Sequence, residues 1–82
     1  MIYFDGIHLA TDGDRDELEA FARKVGLLPE WCQGFGVHIH YDVWGSKAKK
    51  AIELGAKLVD AKTLVERCYP DRIKMLKRLM GQ

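Results

Sequence analysis

The chain has little cysteine, little proline and no long apolar segment. Its 82 residues contain two cysteines and two prolines, and no apolar run approaches the length that spans a bilayer. Because Cys32 and Cys68 are far apart, they form no paired metal or redox motif. We therefore expect free thiols in a reducing compartment. With no signal segment before the first apolar run, we expect a cytoplasmic protein without a membrane partner.

The charge is almost balanced in total but unevenly distributed. Residues 1–40 carry seven acidic and three basic side chains, whereas residues 41–82 carry five acidic and ten basic ones. The positive second half permits a polyanionic partner such as a nucleic acid or a nucleotide. Such a distribution is more commonly typical of solvated helix faces, so charge alone does not identify a partner.

The length limits the architecture to one small unit. We predict a single domain over residues 1–82 with one modest core. The hydrophobic content of 48% is that of a globular protein. Because so small a domain leaves much apolar surface exposed, a homodimer is one arrangement that would bury part of that surface.

Apolar periodicity predicts three short strands. They cover residues 2–4, 37–43 and 57–59, and residues 7–13 between the first strand and the first helix are interpreted as a loop. In the second strand, His38, His40 and Asp42 share one face, because strand side chains alternate. The opposite face carries apolar residues, among them Val37.

Helices are predicted between and after these strands. Asp14, Ser46 and Asp60 are suitable helix caps, and an amphipathic helix over residues 71–80, which includes Met80, follows Pro70. Strands that alternate with helices indicate an α/β domain of two or three layers. The sequence thus predicts a three-stranded, mainly parallel sheet in the order βαβαβα, with a C-terminal amphipathic helix.

Acidic and histidine side chains follow the predicted strands. In a parallel sheet the carboxyl ends of the strands meet at one edge, where ligands bind. We therefore expect Asp5, His40 and Asp42 to form a catalytic cluster. These three side chains are also the predicted ligands of a divalent cation, Mg²⁺ or Mn²⁺, with His40 as a ligand or general base.

The remaining predicted site residues are assigned to the substrate. They are His8, Asp12, Tyr41 and Lys47, of which Lys47 would hold a phosphate group. The function that uses this set is metal-assisted, nuclease-like cleavage of a phosphoester. Zinc bound by His38, His40 and Cys32 is a less favoured arrangement, because a fourth ligand is missing.

The same residues carry a resemblance to a known family. The matching segments follow one another in order: residues 1–5, 8–12, 17–22, 26–27, 31–33 and 40–43, then Lys47, residues 51–52 and residues 55–56. The chain resembles a small family of bacterial and phage proteins known only as a domain of unknown function, with a His-Tyr-Asp signature at residues 40–42. The resemblance spans residues 1 to about 66 and implies a choice of site residues, but no reaction.

Two other functions use the same features. A non-catalytic nucleotide or nucleic-acid binding module would use the positive second half, and its affinity would fall steeply with salt. A phage or bacterial accessory protein that binds other proteins would use the His-Tyr-Asp residues only as a structural hydrogen-bond network.

Overall fold

A five-stranded mixed sheet forms the centre of the protein. The computed structural model describes residues 1–34, 38–79 and 81. The strands are β1 (Ile2–Phe4), β2 (His8–Thr11), β3 (Cys32–Gln33), β4 (His40–Asp42) and β5 (Lys57–Leu58). They lie in the order β3-β4-β2-β1-β5. Among these described strands, β1 and β5 pair in parallel and the other three pairs are antiparallel.

The predicted three-stranded, mainly parallel sheet is therefore wrong. Residues 8–11, interpreted as loop, form β2, which pairs antiparallel with β1 on one side and β4 on the other. Gly6 adopts a φ of 101°, which suits the tight reversal between β1 and β2. The strand shows no alternating pattern because Leu9 and Ala10 are both buried, each in a different apolar cluster.

The second predicted strand is shorter than expected. Instead of residues 37–43, β4 covers only His40–Asp42 and pairs with β3, a strand that periodicity did not reveal. His38 has a φ of 50°, which interrupts the extended backbone just before β4. Val37 and Met80, predicted to face the interior, lie outside the described residues.

The predicted helices form and cover the sheet. They are α1 (Arg15–Val25), α2 (Ser46–Glu53), α3 (Ala61–Cys68) and α4 (Pro70–Leu79). The carboxylates of Asp14 and Asp60 cap α1 and α3 as predicted, whereas Ser46 is the first residue of α2 and Gly45 precedes it. Within the described part of the chain, no helix has both the length and the apolarity to cross a membrane.

Removal of the α1 cap should have a measurable cost. The Asp14 carboxylate accepts a hydrogen bond from the Glu17 backbone N–H at 2.9 Å. We expect Asp14→Ala to lower the free energy of unfolding by about 1 kcal/mol, because this N–H loses its acceptor. Urea denaturation measures the change. Glu66→Ala, at an exposed position within α3, is the control and should change it by less than about 0.5 kcal/mol. Equal effects would contradict the capping role.

Two apolar clusters place helices on opposite faces of the sheet. Leu9 and Tyr41 pack with Leu18 of α1 and Ala51 of α2 in the larger cluster. The smaller cluster comprises Tyr3, Ala10 and Leu64, with Val59, Cys68 and Tyr69 packed against it. The protein is therefore a three-layer arrangement, with α1 and α2 on one face and α3 on the other.

Both cysteines are free, as the sequence predicted. Burial raises the pKa of the Cys68 thiol to about 11. Because the thiolate is the nucleophilic form, Cys68 is poorly suited to nucleophilic catalysis at neutral pH.

The strand directions bring several polar residues to one edge of the sheet, the edge at which β1 and β4 end and β2 begins. Both β1 and β4 run antiparallel to β2, so they point the same way and end where β2 begins. Asp5 follows β1, His8 starts β2 and Asp42 ends β4. The backbone N–H of Val43 donates to the Ile7 carbonyl at 2.7 Å, which extends the β2–β4 pairing at this edge.

Candidate functional site

Four of the predicted site residues meet at this edge of the sheet. Asp5, His8, His40 and Asp42 form what we term the Asp–His cluster. His8 and Asp42 are direct neighbours across β2 and β4, and His40 is two residues from Asp42 on the same face. The rings of His8 and His40 meet edge to face with their centroids 5.5 Å apart.

Asp5 is fully engaged within the protein. Its side chain is only 5% exposed, and its Oδ2 atom lies 2.9 Å from His8 Nδ1. Its Oδ1 atom accepts backbone N–H bonds from Ile7 at 2.9 Å and from His8 at 2.6 Å. Burial alone would raise the pKa of Asp5, but the hydrogen bonds from His8 and Ile7 lower it below its usual value. Asp5 therefore stays ionised, closes the β1–β2 reversal and orients the His8 ring.

This environment predicts a pH-dependent contribution to stability. The folded pKa of Asp5 lies below its ordinary value of 3.8. Ionised Asp5 therefore stabilises the fold above that value, and the contribution is lost as the pH falls through the folded pKa. We expect the free energy of unfolding of the wild type to fall more steeply below about pH 5 than that of Asp5→Asn.

Urea denaturation of both proteins between pH 3 and pH 6 measures this difference. Other carboxyl groups with lowered pKa values (Asp12, Glu17 and Asp60) remain in both proteins, so the comparison isolates Asp5. Parallel pH profiles would contradict the role given to the Asp5 hydrogen bonds.

Hydrogen bonds determine which nitrogen of each of the two histidine rings carries the hydrogen. The Asp5 carboxylate only accepts, so His8 Nδ1 carries the hydrogen that joins them. The His38 carbonyl likewise only accepts, so His40 Nδ1 donates to it at 2.9 Å. Each neutral ring therefore has an unprotonated Nε2 atom. A histidine held in this way through Nδ1 is typical of metal ligands and of catalytic bases.

Both Nε2 atoms face the same carboxylate oxygen. The Oδ1 atom of Asp42 lies 3.6 Å from His40 Nε2 and 4.0 Å from His8 Nε2. This Oδ1 atom is buried and accepts no hydrogen bond from the described residues. The other oxygen, Oδ2, accepts a hydrogen bond from Gln33 Nε2 at 2.9 Å. Three atoms that all carry lone pairs thus converge, and a positive charge between them would relieve their repulsion.

His8 Nε2, His40 Nε2 and Asp42 Oδ1 are slightly farther apart than the ligand atoms of a bound metal ion. Among residues 1–34, 38–79 and 81, no three His, Cys, Asp or Glu side chains are arranged to hold a metal ion. Ligands about 2.1 Å from a tetrahedral ion lie about 3.4 Å apart, so His8 Nε2 would have to approach Asp42 by several tenths of an ångström. The zinc set with Cys32 is not assembled, because Cys32 pairs with Tyr41 and lies on the face opposite His40.

Three other predicted site residues lie away from the cluster or face elsewhere. Asp12 is at the far end of β2, where its Oδ1 atom lies 2.9 Å from the Met1 amine. Tyr41 is buried in the larger apolar cluster, and this burial raises the pKa of its hydroxyl group. Lys47 lies near the end of α1, where its ammonium would be 3.1 Å from a Cβ added to Gly26.

A cavity of about 790 Å³ opens beside the Asp–His cluster. Its lining residues are Leu27, Glu30, Trp31, Gln33, Asp42, Val43, Trp44, Gly45, Ser46 and Lys47. A volume of this size is typical of small-molecule sites. Asp42 lines the cavity and belongs to the cluster, whereas Asp5, His8 and His40 are not among the lining residues.

Sequence reasoning did not assign Gln33, Trp31 or Trp44 to the site. The Gln33 side-chain amide reaches Asp42 because β3 pairs with β4. No local pattern in the sequence predicted this pairing. Both tryptophans line the cavity, and Trp44 is 75% exposed. Trp44 follows Asp42 by two residues, which was the available signal for this tryptophan.

Comparison with known proteins identifies a family but no activity. A family model described as "Protein of unknown function (DUF4031)" matches residues 6–70. The chain belongs to this family. The region matched by the DUF4031 model contains His8, His40 and Asp42 and begins just after Asp5. No curated protein and no solved structure matches the chain.

Proposed function

We propose that the Asp–His cluster is the catalytic centre of a hydrolase that cleaves phosphoester bonds with the help of a divalent cation. The observation that carries the proposal is the convergence of His8 Nε2 and His40 Nε2 on the unpartnered Asp42 Oδ1 atom. A buried charged oxygen without a donor is costly. A bound cation offsets that cost.

The proposed ligands differ from those expected from the sequence. His8, His40 and Asp42 supply the donors, whereas Asp5 positions His8 through Nδ1 instead of binding the ion. Two imidazoles and one carboxylate favour Mn²⁺ or Zn²⁺ over Mg²⁺, which prefers oxygen ligands. Binding of the ion would require His8 Nε2 to approach Asp42 Oδ1 by several tenths of an ångström, and the His8 side chain is 46% exposed.

Each group then has a defined task. The bound ion would activate a water molecule and neutralise the phosphate. The Asp5 carboxylate and the His38 carbonyl hold the two rings in the form that presents Nε2. Gln33 fixes the Asp42 carboxylate through Oδ2. Lys47 lies on the wall of the cavity, away from the cluster, and would contribute positive charge there.

Hydrolysis of bis(p-nitrophenyl) phosphate tests the proposal. We expect turnover by the wild type with Mn²⁺ or Zn²⁺ and none after chelation. His40→Gln should lower the rate by more than about a hundredfold, the upper range for the loss of a residue that only orients a ligand. His38→Gln is the control, because His38 accepts the hydrogen bond from His40 through its backbone carbonyl, which the substitution keeps. Absence of any metal-dependent hydrolysis by the wild type would overturn the proposal.

A purely structural His-Tyr-Asp network fits the geometry less well. Structural networks normally satisfy their buried polar atoms, whereas Asp42 Oδ1 has no hydrogen-bond donor among the described residues. A non-catalytic nucleotide-binding module is the second candidate, and the two tryptophans of the cavity favour it. It predicts salt-dependent binding without turnover.

A further inference from the structure

We infer that the cavity beside the Asp–His cluster binds a nucleobase that carries an amino group, stacked on the indole of Trp44. The inference rests on the proposed function, because it names the substrate whose phosphoester the cluster would cleave. It is carried by the exposure of two tryptophans on one cavity and by the hydrogen-bonding character of the wall around them.

The first observation is the exposure of the indoles. Trp44 is 75% exposed and Trp31 is 43% exposed, and both line the cavity. Tryptophan is usually buried to a large extent, so two exposed indoles on one concave surface are unusual. Flat aromatic rings are the partners that such faces bind, and the stacking of a base on an aromatic side chain tolerates any base.

The second observation concerns polar groups in the wall. The carboxylates of Glu30 and Asp42 and the amide of Gln33 line the cavity, against a single cation, Lys47. Carboxylates only accept hydrogen bonds, so these two groups match a ring that carries an amino group. Adenine and cytosine carry such amino groups, whereas hypoxanthine and uracil do not.

The third observation is the position of the cluster relative to the cavity. Asp42 belongs to both, and Trp44 follows it by two residues. A base held on Trp44 therefore lies close to Asp42 in the chain, and its sugar phosphate would have to extend past Asp42 to reach the two histidine rings of the cluster. Two carboxylates against one ammonium in the wall also favour recognition through the base over recognition through the phosphate alone.

Isothermal titration with matched ligands tests the inference. AMP, IMP and ribose 5-phosphate share the phosphate, whereas only AMP carries the amino-bearing base. The proteins are the wild type, His40→Gln, which prevents turnover, and Trp44→Ala. The control is Leu58→Ala, at an exposed position on β5, the outer strand farthest from β3. We expect AMP to bind the wild type and His40→Gln more tightly than IMP or ribose 5-phosphate.

The Trp44→Ala protein should bind AMP roughly 5- to 150-fold more weakly, the range for loss of one base stack, and Leu58→Ala should match the wild type. Circular dichroism confirms that each variant is folded. Binding of AMP no tighter than ribose 5-phosphate, or unaffected by Trp44→Ala, would overturn the inference. Metal-dependent cleavage of the generic diester would then still support the proposed function. Binding that depends on Trp44, without any cleavage, would instead refute the hydrolase and retain the base site.

Discussion

Replacement of Asp42 by asparagine should abolish stabilisation by added divalent cation without destabilising the metal-free protein. At a cation concentration about one hundred times the dissociation constant, binding stabilises the wild type by about 2.7 kcal/mol. Asparagine keeps an acceptor for Gln33 but removes the charge that faces the two histidine rings. Because the buried Oδ1 atom has no donor, the metal-free variant should be at least as stable as the wild type.

Thermal unfolding with Mn²⁺, with Zn²⁺ and with a chelator measures both effects. Asp12→Asn is the matched control, because it makes the same chemical change at the other end of β2, beside the Met1 amine. It should keep the full response to the cation. A lower melting temperature of Asp42→Asn in chelator, together with no cation effect in the wild type, would identify the network as structural.

Truncation of Leu9 should have the largest effect on stability. Leu9 is fully buried in β2, between β1 and β4, and packs in the larger apolar cluster. We expect Leu9→Ala to lower the free energy of unfolding by about 2–5 kcal/mol, because it removes buried methyl groups and leaves a cavity. For a domain of this size that is a large part of the total stability.

Urea denaturation measures the change, and Leu58→Ala provides the comparison. Leu58 lies in β5 at the sheet edge with 59% of its surface exposed, so its truncation should cost less than about 0.5 kcal/mol. If Leu9→Ala were as mild as Leu58→Ala, residues 8–11 would not form a central strand.

Local signals predicted the helices but not the sheet. Asp14, with apolar residues at helical spacing after it, specifies α1 within a few residues. The strand β2 was not predicted because Leu9 and Ala10 are buried in separate clusters. Apolar and polar residues therefore do not alternate along it. The pairing of Cys32–Gln33 with β4 depends on contacts between distant residues, which periodicity does not register.

The sequence predicted which residues form the site better than it predicted how they are arranged. His40 and Asp42 share a strand face, as the alternation of side chains requires, and Asp5 and His8 join them once β2 is in place. The same alternation buries Tyr41 on the other face, so that a role in substrate binding would require a rearrangement of the core. Asp12 is separated from His8 by the length of β2, which an assignment of residues 7–13 to a loop did not anticipate.

Histidine-ring NMR with added cation tests the central claim most directly. Nitrogen-15 spectra report which ring nitrogen carries the hydrogen, and the chain has three histidines, of which His38 is the internal reference. We predict Nδ1–H forms for His8 and His40 without metal, and shifts of both Nε2 signals when Zn²⁺ is added. Hydrogens on Nε2, or Nε2 signals that Zn²⁺ leaves unchanged, would contradict the account.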